Sequence, residues 1–212
     1  MVSAMKRGKL ITLEGGEGSG KSTQVVHLAN HLRKQGILAV CTREPGGVPF
    51  SERLRDLVLG HPPASPKTEF LMFAAARSEH IAGLIEPVLS RGQWVLCDRY
   101  IDSTRVYQGA LGGIDPGLIA AIETYTVKPF LPELTFILDV NPRIGLERAR
   151  ARGELSRYDA AAEEDHETVR KGFLDIAAKE PGRCVVIDGH EGELEIAAQV
   201  AQIVDRRFLL PG

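Results

Sequence analysis

The chain has 212 residues, 43% of them hydrophobic and 25% charged, which is enough to bury a core as one compact domain. Its 26 Lys and Arg against 28 Asp and Glu leave a net charge of −2, which argues against binding nucleic acid but leaves room for a local arginine cluster around a small phosphorylated ligand. Met5-Lys6-Arg7 looks like the start of a leader, yet the apolar stretch after it ends at Glu14, and no run approaches the ~20 apolar residues of a membrane span, so a cytoplasmic chain free of membranes is expected.

In chain order, a strand-like apolar run at 10–13 is followed by helical periodicity at 22–35. A run at 37–41 precedes helical stretches at 50–59 and 68–89, and a run at 94–97 precedes one at 116–127. The run at 134–140 leads into helical stretches at 142–152 and 166–179, and the run at 184–187 into a last one at 193–208. This alternation predicts an α/β protein of three layers, a mainly parallel five-stranded sheet flanked by helices. The short patch around Pro62, Pro63 and Pro66 reads as a surface loop. Cys41, Cys97 and Cys184 each fall in a strand-like run without C-x-x-C spacing, so they are expected to be buried thiols. His27 and His31 share one helix without further ligands and read as surface residues, and no transition metal is expected.

Several apolar runs end in acids: Glu14, Asp98, Asp139 and Asp188. Ligands of open parallel sheets sit beyond the carboxyl ends of the strands, so these are candidate site residues, although Asp139 and Asp188 also suit the role of helix cap. Between the first run and the first helix, Gly15-Gly16-Glu17-Gly18-Ser19-Gly20-Lys21-Ser22 fits G-x-x-x-x-G-K-[ST]. Glycines let successive backbone N–H groups turn toward a β-phosphate, helped by the positive end of the following helix. Lys21 then reaches β/γ oxygens, and the Ser22 hydroxyl takes a magnesium site that Asp98 completes through water. The expected ATP-binding set runs from Gly15 through Thr23.

Guanine-dependent switches carry N-K-x-D and D-x-x-G strings, and neither occurs; a nucleic-acid motor would show a basic, aromatic-rich track, whereas only 6% of residues are aromatic. Instead, arginines fall at several loops of the catalytic edge: Arg43, Arg55, Arg77, Arg99, and the set Arg148, Arg150, Arg152 and Arg157. Guanidinium groups stabilise the charge concentrated when a phosphoryl group passes between two phosphorylated molecules. A solvated helix face is the competing reading for Arg143, Arg148 and Arg150.

Four motifs together resemble the thymidylate kinase family over nearly the full length: the phosphate loop, Thr42-Arg43-Glu44-Pro45-Gly46-Gly47, Asp98-Arg99-Tyr100 with Tyr107-Gln108-Gly109, and the arginine-rich stretch from Arg148 to Arg157. The resemblance implies transfer of the ATP γ-phosphoryl group to deoxythymidine monophosphate (dTMP) with magnesium as cofactor. Phe73 would stack on thymine, although that residue alone reads more simply as core, while Arg77, Thr104 and Gln108 would bond its edge. Pro45 would wall off the methyl group, and Tyr107 would exclude a ribose 2′-hydroxyl. Arg55 and Arg99 would hold the acceptor phosphate, Glu44 would shape the adjoining loop, and Glu17 would take the 3′-hydroxyl. Some members carry an arginine where this chain has Gly18, so the catalytic arginine is expected from a mobile lid at about 150–165 within a single domain spanning 1–212. Arg152 is the choice for that role, assisted by Arg148 and Arg157. A homodimer is implied as well. The nearest alternative is a deoxynucleoside kinase, which would need Glu44 as a general base.

Overall fold

The structure, a computed structural model, describes residues 7–61, 63, 65–151, 153 and 162–210. Strands β1 (Leu10–Glu14), β2 (Ala39–Arg43), β3 (Trp94–Asp98), β4 (Leu134–Asp139) and β5 (Cys184–Asp188) form one sheet in the order β2-β3-β1-β4-β5, every neighbouring pair parallel. The helices are α1 (Lys21–Lys34), α2 (Pro49–Gly60), α3 (Pro66–His80), α4 (Glu86–Ser90), α5 (Ile101–Thr104), α6 (Pro116–Thr126), α7 (Pro142–Ala151), α8 (Glu163–Lys179) and α9 (Glu193–Val204). None of the described helices is long and apolar enough to cross a membrane.

Every residue of β1 is buried, because both faces of the sheet are covered. On one face Ile11, Leu13, Leu96 and Phe136 pack against Val25, Leu28 and Leu32 of α1 and Ile196, Val200 and Val204 of α9. On the other, Leu10, Val95 and Cys97 meet Ile81, Ile85 and Leu89, while Ile137 meets Val169 and Phe173 of α8. This three-layer burial is what near-continuous apolar strands demand. It also aligns Glu14, Arg43, Asp98, Asp139 and Asp188 along a single carboxyl edge.

Several expectations need correction. The stretch at 68–89 is interrupted: a π-helical turn at Ile81–Ile85 separates α3 from α4, where the Glu86 N–H bonds the Ile81 carbonyl. Pro87 explains the interruption, since its ring has no N–H and crowds the carbonyl four residues back. A helix at 101–104, continued as a π-helical segment over Arg105–Leu111, was not anticipated, because its mixed, Gly-flanked sequence shows no clean apolar face. Cys41 is exposed, since β2 is an edge strand shifted two residues toward Arg43; Cys97 and Cys184 are buried. His27 and His31 are half-buried pairing residues, bonded to Glu193 at 2.7 Å and Asp205 at 2.8 Å, and tie α1 to α9 and the turn after it. Neither Asp139 nor Asp188 caps a helix: Asp139 accepts from Arg170 at 2.6 and 2.9 Å, Asp188 from the backbone and ring of His190, and it is Asn141 that accepts from the Arg143 N–H in the first turn of α7.

Candidate active site

The loop between β1 and α1 is shaped by left-handed backbone at Gly18 (φ +65°) and Gly20 (φ +95°), conformations that a side chain would strain. Helix α1 starts with no side-chain cap and no acid in its first turn, which leaves its N–H groups available to an anion. Lys21 folds over the loop, donating to the carbonyls of Gly15 at 3.2 Å and Gly16 at 2.7 Å and to Ser19 Oγ at 3.1 Å. Burial, and after it the Arg99 guanidinium, lower its ammonium to about 8. Ser22 Oγ donates to Asp98 Oδ2, so the hydroxyl and the carboxylate expected at one metal site do meet.

Arg99 follows β3 with φ +68°, a region costly for a residue with a side chain. The surroundings enforce that bend: Arg99 N bonds the Leu13 carbonyl at 3.0 Å, and buried Glu14 accepts from Tyr100 N at 2.7 Å and from the Ser103 hydroxyl at 2.6 Å. The side chain is thereby turned onto the phosphate loop, where it donates to Glu17 Oε1 at 2.7 Å and the Gly15 carbonyl at 3.1 Å. Tyr107 lies under the guanidinium, 5.1 Å from ring centroid to Cζ, and its hydroxyl reaches Glu17 at 3.2 Å. Burial pushes Glu17 upward, but Arg99 and Lys21 outweigh it and keep the carboxyl below its ordinary range. A carboxylate within a phosphate-binding loop is thus neutralised locally.

Beside this pair opens a concave cleft that Glu17 and Arg99 share with the phosphate loop. Glu17, Glu44, Pro45, Arg55, Phe73, Arg77, Arg99, Thr104, Tyr107 and Gln108 all line it, with Leu59, Tyr100 and Ser103. Phe73 is half-buried with a face on the cleft, so it is not simply core. Arg55 donates to the Pro45 carbonyl at 2.9 Å, and Gln108 to Glu69 at 3.0 Å. Glu44 is not free to act as a base toward a hydroxyl: Oε2 accepts from Arg77 Nε at 2.6 Å and Oε1 is 2.9 Å from His80 Nδ1.

A family model described as thymidylate kinase matches residues 13–200. The chain belongs to the thymidylate kinase family. A thymidylate kinase of Rhodopseudomonas palustris (strain BisB18) is 46% identical over 212 residues, covering 97% of this chain and 92% of that protein. One from Caulobacter vibrioides is 46% identical over 207 residues, covering 96% and 99%. The crystal structure of thymidylate kinase from Ehrlichia chaffeensis superposes with a TM-score of 0.77 at 35% identity, covering 94% of this chain and 99% of that one.

Within this thymidylate kinase fold the arginine-rich segment separates by position. Arg148 Nη1 donates to the Gly189 carbonyl at 2.9 Å, whereas Arg150 is exposed and Arg143 pairs with Glu163 at the surface. Arg152 and Arg157, with most of the expected lid, lie outside the described residues. Gly18 has a tertiary reason for lacking a side chain: a Cβ there would overlap the carbonyl oxygen of Gly145 in α7, and one on Gly145 would overlap the Glu17 carbonyl. Sequence reasoning did not single out Ser103 or His80, and gave Glu14 no role. Glu14 had a visible signal, since it closes an apolar run; His80 had only its place one turn after Arg77.

Proposed function

We propose that the chain transfers the γ-phosphoryl group of ATP to dTMP, giving dTDP and ADP. The observation carrying this reading is that one cleft gathers an aromatic platform, polar groups for a base edge and two arginines, and that Arg99 and Glu17 join it to the phosphate loop. A phosphate acceptor is already a nucleophile at neutral pH, so positioning and charge neutralisation supply the rate. That need fits the site: Lys21 exchanges loop carbonyls for phosphate oxygens, and Arg99 and Arg55 hold the acceptor phosphate. Phe73 supports the pyrimidine while Arg77, Thr104 and Gln108 read its edge. Tyr107, held by Glu17, occupies the space a ribose 2′-hydroxyl requires. The deoxynucleoside kinase alternative loses its base, because both oxygens of Glu44 are engaged.

The hydroxyl of Ser22 beside Asp98 is a donor set suited to magnesium, an ion that keeps most of its waters and takes phosphate oxygens. When bound it would supply charge neutralisation for the transferring phosphate. We assign Arg148 to the ATP side and the lid arginines Arg152 and Arg157 to the γ-phosphate, because Gly18 is packed too tightly to be replaced by an arginine. The chain acts in the cytoplasm as a homodimer, through the apolar side chains that α2, α3 and α6 leave exposed: Phe50, Leu57, Leu71, Leu118 and Tyr125.

The test is a panel of initial rates of ADP formation with magnesium-ATP and the monophosphates of deoxythymidine, deoxyuridine, uridine, cytidine, adenosine and guanosine, plus thymidine. The highest kcat/KM is expected for dTMP. A preference for thymidine, or no stimulation by any acceptor, would overturn the assignment.

A further inference from the structure

Behind the acceptor cleft runs a buried polar chain. His80, fully buried, places Nδ1 2.9 Å from Glu44 Oε1 and Nε2 2.8 Å from the Thr42 hydroxyl. The other oxygen of Glu44 accepts from Arg77 Nε at 2.6 Å, and Arg77 Nη2 donates to the Tyr100 carbonyl at 3.0 Å. A carboxylate only accepts, so Nδ1 donates to Glu44, while Nε2 pairs with the Thr42 hydroxyl. The loop closes over the imidazole at Gly47 (φ +87°), where a Cβ would overlap His80 Nε2.

Arg77 lines the cleft with two of its three nitrogens committed to Glu44 and Tyr100, so the direction of the third is set by those partners. Glu44 in turn is held at both oxygens, one by Arg77 and the far one by His80. We propose that His80 is a positioning residue for base selection: through Glu44 it fixes the plane of the Arg77 guanidinium, a group made only of donors. Such a group matches a 4-keto pyrimidine and opposes a 4-amino one, whose exocyclic nitrogen also donates. The proposal rests on dTMP as acceptor.

Its test measures kcat and KM for dTMP and deoxycytidine monophosphate, together with the ATP KM, in the wild type and in His80→Leu, His80→Asn and His80→Gln. Asn carries an amide nitrogen near the position of Nδ1 and keeps a donor for Glu44; Gln places its amide near Nε2 and leaves Glu44 unserved. The expected result for Leu and Gln is a fall of about tenfold or more in the ratio of kcat/KM values, dTMP over deoxycytidine monophosphate, the scale of a hydrogen bond to a charged group. It arises mainly from KM for dTMP, with the ATP KM unchanged, and Asn restores most of the ratio. An unchanged ratio in Leu overturns the proposal, as does an equal loss toward ATP or an Asn variant as impaired as Leu. Should Leu not fold, the Asn and Gln pair gives the same comparison. A wild type without preference for dTMP overturns the acceptor reading instead, and is seen before any variant is compared.

Discussion

Glu14 shows how a side chain outside the cleft shapes the site. Burial, followed by the charge of Asp102, raises its carboxyl from 4.5 to about 7, while hydrogen bonds from Ser103 and Tyr100 act against the shift. The folded state therefore binds a proton that the unfolded chain releases above about 4.5. This contribution to stability is fully present below that pH and is lost as pH rises through 7. Glu14→Gln should accordingly flatten the fall in urea midpoint between about pH 5 and 8. An identical slope in wild type and variant would mean that Glu14 is ionised throughout. At this scale the motif residues were legible, because phosphate chemistry demands glycine, lysine and hydroxyl groups at fixed spacing. Glu14 was legible as a candidate but not its role, and Ser103 and His80 were not legible at all, because their work depends on distant partners such as Glu14 and Thr42 that only the folded chain brings near.

Among the elements, α7 packs directly on the phosphate loop. It touches the loop backbone to backbone through Gly18 and Gly145, without side chains to yield. Gly145→Ala must displace either the helix or the loop, at a cost of roughly 1–3 kcal/mol. A lower urea midpoint with a raised ATP KM is the expected outcome, and wild-type values for both would show that α7 moves away freely. Helical periodicity located α1, α6 and α9 within a few residues; for α6 the structure adds the cap, since the Asp115 side chain accepts from the Leu118 N–H. The same reasoning missed α5, whose buried residues Ile101, Asp102 and Thr104 mix apolar and polar character. Asp102 is held by Arg183 at 2.7 and 3.0 Å, a partner 81 residues away that no local pattern announces.

For the molecule as a whole, the sheet was readable because each strand carries an apolar run, while the strand order and the two-residue shift of β2 required the three-dimensional structure. The proposed dimer belongs to this scale: α3 packs beside α2 and α6, and Leu71 and Tyr125 stand 53% and 89% exposed. Sedimentation equilibrium should give twice the chain mass, and Leu71→Glu combined with Tyr125→Asp should give the monomer; a wild-type monomer would remove the dimer. The carbonyl oxygen of Gly15 carries a wider consequence, because it accepts from both Lys21 and Arg99, the one cation proposed to serve the donor nucleotide and the other the acceptor. A phosphate that draws one cation away changes the electrostatic hold on the other, so the two nucleotides should be thermodynamically linked through a single shared atom. Saturating acceptor should change the dissociation constant of ATP by the same factor as saturating ATP changes that of the acceptor, a reciprocity calorimetry can check with a non-hydrolysable ATP analogue. Two independent constants would mean that the shared oxygen transmits nothing.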